Sequence, residues 1–322
     1  MKQIKFFFAC LLIFSFCMLS CGKEEPVSDY EREILGKITE GIGAKTRLPS
    51  FSRDLCVLDP EIRYDEELIL SKYAGLFNET SKEVLYAKNA ADRIYPASMT
   101  KVMTALLVAE NCPDLTVMVP VTAEALESVR EGSSLAGLVE GEKYSVSDLL
   151  AALLVPSGND AANVLAVFID GSIEAFVERM NSRAKELGML NTHFVNANGL
   201  HDKNHYTSVY DLYLLMRTFI THRELAELAS SRDATGAALQ PDGSYIIRSW
   251  RSTNSICLGY TALPEGVSLT AAKTGYTVSA GRCLVIAVRS ADGSDCIGVI
   301  AGAASHDALY EQIVKLLAQY CG

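Results

Sequence analysis

The stretch Ala97-Ser98-Met99-Thr100-Lys101 runs straight into an apolar segment, Val102 to Glu110, and it constrains the chain more than any other. If that segment is a helix, Ser98 lies at its first turn and Lys101 lies one turn on, on the same face. A serine hydroxyl is a poor nucleophile alone. A lysine within hydrogen-bond reach becomes its base if burial and a second cation lower the lysine's pKa. A serine at a helix N-terminus also has backbone N–H groups nearby that can hold an oxyanion. Taken by itself, the same pattern describes an N-cap serine before an ordinary helix.

Two later stretches change that balance. Pro156-Ser157-Gly158-Asn159-Asp160 separates an apolar helix, Leu149 to Val155, from a second helical run, Ala161 to Phe168. Such a corner brings Ser157 and Asn159 out of the packed faces, although a plain turn with a Ser and Asn cap has the same look. Ala271-Ala272-Lys273-Thr274-Gly275-Tyr276-Thr277 precedes two strongly β segments, Arg282 to Arg289 and Cys296 to Ala301. The turn Ala291-Asp292-Gly293 predicts that those two pair as a hairpin. Lys273 and Thr274 on a strand present a cation and a hydroxyl together, and Gly275 lets a ligand approach the backbone.

The remaining chain reads as one domain behind an export leader. It has 322 residues, 49% hydrophobic and 21% charged, with a formal net charge of -10. That length allows a large core, and the acidic balance argues against nucleic acid as a partner. Lys2 and Lys5 precede an uncharged apolar run, Phe6 to Leu19, shorter than the roughly 20 residues a membrane span needs. This is an export signal. Residues 22–62 read as a polar tether with a short helix at Tyr30 to Ile38. Leu68 to Leu76 and Val84 to Tyr86 read as a β-hairpin around Asn78-Glu79-Thr80-Ser81, with a helix at Glu66 to Tyr73 as the alternative. Asn78-Glu79-Thr80 also fits a glycosylation acceptor, but the turn is the stronger reading. Val117 to Thr122 is a short strand, and Glu131-Gly132-Ser133-Ser134 and Val139 to Glu142 are turns. Helices are predicted at Ile173 to Leu187, Val209 to Ile220, Arg223 to Ala229 and Leu309 to Tyr320, with Ser172 and Ser305 as caps. Ala234 to Tyr245 is turn-rich, and Ser249 to Asn254 leads into a loop. His201 and His205, four apart around Asp202, lack a convincing third ligand and are not read as a metal site.

The ordered set Ser98/Lys101, Ser157/Asn159 and Lys273/Thr274/Gly275 is the motif set of class A β-lactamases and penicillin-binding proteins. Tyr95 to Lys101, Gly132-Ser133-Ser134, Leu154 to Ala162, Phe194-Val195-Asn196 with Gly199-Leu200, and Lys273 to Thr277 with Ala280-Gly281 extend the likeness. Together they resemble the low-molecular-weight D-alanyl-D-alanine carboxypeptidases of peptidase family S11, from about Arg63 to the C-terminus. The resemblance implies an α/β (α+β) fold of the β-lactamase/transpeptidase type: a five-stranded antiparallel sheet flanked by helices, plus a helical subdomain. It implies that Ser98 forms an acyl-enzyme with a peptidoglycan stem peptide ending in D-Ala-D-Ala, with Lys101 as base and Ser157 as proton relay. Asn159 would fix the acyl amide, Lys273 would supply positive potential, and Thr274 would hold the terminal carboxylate. The N–H groups of Ser98 and Tyr276 would form the oxyanion hole. No metal or cofactor is implied, and β-lactams would act as covalent inhibitors.

Met18-Leu19-Ser20-Cys21-Gly22 resembles a bacterial lipobox, which would lipidate Cys21 and hold residues 63–322 at the outer face of the cytoplasmic membrane or in the wall. Ordinary cleavage or an uncleaved anchor are the alternatives. The implied form lacks the β-rich C-terminal domain and terminal anchor that many members carry. Many members also have a carboxylate-binding arginine after the last strand. Gly302 to Asp307 has none, and His306 is a weak substitute. That departure leaves a D,D-endopeptidase or a non-catalytic wall-peptide-binding lipoprotein open. A β-lactamase would need a deacylating glutamate after the second motif, and residues 187–223 contain no glutamate. Cys56, Cys112, Cys257, Cys283, Cys296 and Cys321 allow 15 pairings or none, with Cys283 and Cys296 read as buried apolar residues.

Overall fold

Continuous apolar runs within Gly281–Arg289 and Asp295–Ala303 produce two strands with six consecutive buried residues each. In the computed structural model, which describes residues 54–322 apart from 60–63, 66, 128 and 130–132, they sit at the centre of a five-stranded sheet. Its strands are β1 (Tyr73–Asn78), β2 (Glu83–Lys88), β7 (Ser268–Thr277), β8 (Gly281–Arg289) and β9 (Asp295–Ala303). Their order is β2-β1-β9-β8-β7, all antiparallel. The expected β1–β2 hairpin forms, but β1 begins at Tyr73 and Leu68 to Ser71 stay irregular.

Strand alternation sends each face to a different partner. Leu284, Ile286 and Val288 of β8 pack with Leu309, Ile313, Leu316 and Leu317 of α8 (His306–Tyr320). Val285 and Ala287 of β8, with Ile297, Val299 and Ala301 of β9, face the larger core. That core is helical: α1 (Lys101–Asn111), α3 (Val146–Leu154), α4 (Asn159–Asp170), α5 (Ile173–Glu186), α6 (Val209–Phe219) and α7 (Arg223–Ser230), with the short α2 (Ala123–Glu127) beside them. Lys101 to Val108 of α1 are all buried, so this helix is enclosed. Ser172 and Ser305 cap their helices as read from the sequence, and Ser145 and Ser208 do the same: each accepts the N–H three residues on.

One reading needs correction. Ala234 to Tyr245 is not merely turn-rich. Asp233–Leu239 (β5) and Tyr245–Arg251 (β6) form a regular hairpin, which joins β3 (Met118–Pro120) and β4 (Lys143–Ser145) in a second sheet of order β3-β4-β5-β6. The small residues of β5 hid it. They are small because a ring lies on them: a Cβ at Gly236 would stand 2.5 Å from Cη2 of Trp250. The Trp250 indole N–H donates to the Ala136 carbonyl at 2.8 Å.

Asp54 to Asp59, within the segment read as a tether, belong to the same compact unit as the other described residues. Cys56 is fully buried, its N–H donating to Tyr213 Oη at 3.0 Å and its carbonyl accepting from Tyr210 Oη at 2.7 Å. The export signal, Cys21, the helix at Tyr30 to Ile38 and Glu131-Gly132 lie outside the described residues. The six cysteines from Cys56 onward are unpaired thiols, and all but Cys257 are buried.

Candidate active site

Proline at position 96 and a left-handed Ala97 (φ 47°) force the chain into a tight 3-10 turn, Ala97–Thr100, before α1 begins at Lys101. Ser98 is therefore not in the first α-helical turn, as the sequence suggested, but on this 3-10 turn. Thr100 Oγ1 donates to the Ala97 carbonyl at 2.8 Å and also contacts His205 Nε2 at 2.8 Å. His205 is buried and accepts the Val195 N–H on Nδ1 at 3.0 Å, so its proton sits on Nε2 and donates to Thr100. Burial pushes its pKa down to about 4, which keeps that tautomer neutral. His201 instead packs edge-on against Tyr95.

Lys101 Nζ lies 3.1 Å from Ser98 Oγ, 2.6 Å from Asn159 Oδ1 and 2.6 Å from the Asn198 carbonyl. The lysine is 0% exposed. Burial and then the positive charge of Lys273 hold its pKa well below the ordinary lysine value, with Asp160 acting the other way. The neighbours dictate how a neutral amine sits. An amide oxygen and a carbonyl only accept, so the two N–H groups go to Asn159 and Asn198. The lone pair is left facing Ser98 Oγ, whose hydroxyl donates to it.

Ser157 and Asn159 are 3% and 4% exposed and set in the wall of a cleft. Ser157 adopts φ 65°, a left-handed backbone at the corner between α3 and α4. The signal missed in the sequence is Asp160. Its buried carboxylate accepts the N–H groups of Ala136, Gly137, Leu138 and Ala161 at 2.8–3.0 Å. It thereby ties the loop after Ser134 to the corner, and Asn159 N donates to the Ser134 carbonyl at 2.9 Å.

β7 is the edge strand of the large sheet and forms the other wall. Lys273, 2% exposed, donates to Ser157 Oγ at 2.9 Å and to the Thr274 carbonyl at 3.1 Å. Thr274 Oγ1 meets Thr253 Oγ1 at 2.7 Å. A Cβ on Gly275 would stand 3.0 Å from the Pro96 carbonyl and 3.1 Å from Ser98 N. The close approach that glycine permits is thus to the serine's own turn. Tyr276 is half exposed, with the Arg282 guanidinium 3.9 Å above its ring.

All three motifs converge on one cleft of about 500 Å³ lined by Ser98, Ser157, Asn159, Thr274, Gly275 and Tyr276. Sequence reasoning missed Ser134's carbonyl contact, Asn198, Thr253 and Arg282, which line it too. Asn198 is held from both ends: Nδ2 donates to Asn163 Oδ1 at 3.1 Å, and Oδ1 accepts the Leu200 N–H at 2.9 Å.

Burial lowers the Lys273 pKa to about 7, which carries a stability consequence. From about pH 7 to the ordinary lysine value the unfolded chain binds the proton and the folded chain does not, so folding stability rises with pH across that window. Below it both states are charged and the folded state carries the full cost of burial. Lys273→Met is therefore expected to raise the unfolding temperature near pH 6, by several kcal/mol of stability, with the difference from wild type fading above pH 10. Thermal unfolding followed against pH checks this. A variant less stable at pH 6 than wild type would refute it.

The D-alanyl-D-alanine carboxypeptidase family, peptidase S11, matches residues 62–305. The D-alanyl-D-alanine carboxypeptidase DacF of Bacillus subtilis is 32% identical over 248 residues, covering 77% of this chain and 61% of its own. A D-alanyl-D-alanine endopeptidase of Pseudomonas aeruginosa is 32% identical over 226 residues, 69% of this chain and 68% of its own. The crystal structure of the Streptomyces K15 DD-transpeptidase matches with a TM-score of 0.71 at 28% identity, covering 77% of this chain and 96% of that one. The α+β fold is therefore the one expected. The chain spans about three fifths of the length of the carboxypeptidase relatives DacF and DacD. A match running from residue 62 to 305 and carrying all three motifs means that the chain belongs to the peptidase S11 family of D-alanyl-D-alanine carboxypeptidases.

Proposed function

We propose that this chain is a serine-type D-Ala-D-Ala carboxypeptidase that trims the terminal D-alanine from peptidoglycan stem peptides. The observation that carries the reading is the buried Lys101 amine, 3.1 Å from Ser98 Oγ with its two N–H groups taken by Asn159 and Asn198. In this reading Ser98 Oγ attacks the carbonyl between the two D-alanines while its proton passes to Lys101. Oxyanion charge falls on the N–H groups of Ser98 and Tyr276. Ser157, bonded to Lys273, relays that proton from Lys101 to the departing D-alanine nitrogen, which returns Lys101 to its neutral form. Asn159 holds the acyl amide, Thr274 the terminal carboxylate, and Gly275 keeps β7 close to the nucleophile. Water then attacks the acyl-enzyme with Lys101 as base, and Ser98 recovers its proton.

No carboxylate among the described residues lines the cleft. This supports a lasting penicillin adduct on Ser98 over β-lactamase turnover, because nothing stands in for a deacylating glutamate. One observation favours the endopeptidase as a second reading: a cavity of about 520 Å³ beside the start of α8 shares His306 and Tyr310 with the cleft, leaving room for a longer leaving peptide. The apolar run before Cys21 supports export, and the lipobox pattern supports a diacylglycerol on Cys21 that holds the enzyme at the outer face of the cytoplasmic membrane.

The test is D-alanine release from a diacetyl-lysyl-D-Ala-D-Ala peptide by the full chain and by Ser98→Ala. Release by wild type alone is the expected result. No release by wild type, with release of larger fragments from cross-linked wall peptide, would replace the carboxypeptidase by the endopeptidase.

A further inference from the structure

We infer that His205 is a positioning residue for the nucleophile: through Thr100 it aims the Ser98 N–H, one of the two donors of the oxyanion hole. The inference deepens the proposed function and rests on its acyl-enzyme at Ser98.

The Ala97–Ser98 peptide is one plane, with its carbonyl and its N–H at opposite edges. Whatever fixes the Ala97 oxygen therefore fixes where the Ser98 N–H points. That oxygen accepts the Thr100 hydroxyl at 2.8 Å. A threonine hydroxyl has one proton, and Thr100 Oγ1 has a second polar neighbour, His205 Nε2, also at 2.8 Å. If Nε2 were a bare lone pair, it would compete for the Thr100 proton and leave the Ala97 carbonyl without it. If Nε2 carries a hydrogen, it donates to Thr100, and the hydroxyl proton goes to the carbonyl. The Val195 N–H decides between the two. It takes the Nδ1 lone pair at 3.0 Å and so places the ring proton on Nε2. The hydrogen bonds then run in one direction, from Val195 to His205 to Thr100 to Ala97. A carbonyl polarised in this way makes the N–H across the same peptide a stronger donor.

His205 and Thr100 are both buried, so the chain of bonds is shielded from solvent. The peptide also needs holding. Ala97 has φ 47°, a left-handed conformation that a residue with a Cβ keeps only where its surroundings impose it. The segment behind His205 holds the base as well. The Ala197 carbonyl accepts Thr104 Oγ1 of α1 at 2.6 Å, and the Asn198 carbonyl accepts Lys101 Nζ at 2.6 Å. Phe194 packs edge-on against the imidazole, with ring centroids 5.6 Å apart. Phe194 to Asn198 thus refer the base and the oxyanion donor to one frame, and His205 is the link to the donor.

The experiment is single-turnover acylation of the full chain by a fluorescent penicillin at several concentrations, which separates the acylation rate constant from the affinity of the preceding complex. Wild type is compared with Thr100→Val, His205→Asn, His205→Gln and the double variant Thr100→Val/His205→Asn. The asparagine oxygen takes the place of Nδ1 and brings no donor to Thr100, whereas the glutamine N–H takes the place of Nε2. Thr100→Val and His205→Asn are each expected to lower the rate constant by roughly 10- to 100-fold at unchanged affinity. The double variant should be no slower than Thr100→Val, and His205→Gln should recover most of the rate. An unchanged rate constant in Thr100→Val, effects that multiply in the double variant, or a glutamine variant as slow as the asparagine one overturns the inference and leaves His205 as packing. A second measurement needs no folded asparagine variant: the nitrogen NMR signals of histidine-labelled wild type, with His205 assigned by its loss in His205→Gln, must show the proton on Nε2, and a proton on Nδ1 overturns the inference equally. If penicillin acylates Ser98 but no D-alanine is released from a D-Ala-D-Ala peptide, the carboxypeptidase reading fails while the rate constants still decide the role of His205. No acylation of wild type overturns both.

Discussion

Lys101→Met is expected to slow acylation of Ser98 by about 100- to 10,000-fold, the usual worth of a positioned general base. The methionine fills the buried slot but brings no lone pair to Ser98 Oγ, which lies 3.1 Å from the amine in the native chain. Lys101→Arg should not rescue the rate. A guanidinium cannot lose its proton in this range, and its five donors cannot match the two acceptors, Asn159 Oδ1 and the Asn198 carbonyl, that orient the native amine. Acylation followed by a fluorescent penicillin under single-turnover conditions measures both variants. An arginine variant within tenfold of wild type would mean that positive charge, and not base catalysis, is what position 101 supplies.

Gly199→Ala is expected to cost both stability and rate. Gly199 holds φ 88°, and a Cβ there would sit 2.0 Å from the Ala97 carbonyl oxygen. That oxygen accepts the Thr100 hydroxyl and belongs to the residue before Ser98. The neighbour is backbone within a 3-10 turn, so relief requires moving the nucleophile. A shift approaching 1 Å at a catalytic group is worth roughly 100-fold in rate. The left-handed backbone and the overpacking together cost about 2–5 kcal/mol. Gly243→Ala is the control. It has φ 85° but open space around the added methyl, so it should lose about 1 kcal/mol and keep its acylation rate. Equal effects at the two positions would show that backbone strain alone matters and that the Gly199 contact does not position Ser98.

Much of the site was legible in the chain because its chemistry is compact in sequence. Ser98 and Lys101, Ser157 and Asn159, and Lys273 to Gly275 are each within three residues of one another, and the fold brings the three groups to one cleft. What escaped reading depends on contacts between distant segments. Asn198 acts through its backbone carbonyl, which any residue possesses, so its type reveals nothing of its bond to Lys101. Asp160 looks like an ordinary helix-start acid, and only the fold shows its four backbone donors from Ala136 to Leu138 and from Ala161. Arg282 reads as the polar flank of an apolar strand until Tyr276 is found beneath it. The β5–β6 hairpin was lost for a related reason. Ala234, Gly236 and Ala237 have weak strand preference, and what stabilises them there is Trp250 from the partner strand. The His205–Thr100–Ala97 chain is likewise invisible in sequence, since 105 residues separate its first two members.

The central claim is that Ser98 is the nucleophile and takes up a D-alanyl acyl group. Intact-mass spectrometry of the full chain, quenched in acid during turnover of a peptide ending in D-Ala-D-Ala, tests it directly. The account predicts an adduct equal to the peptide less its terminal D-alanine, located by digestion on the segment that holds Ser98, and absent from Ser98→Ala. D-alanine release with the adduct on another residue, or release that persists in Ser98→Ala, would contradict it.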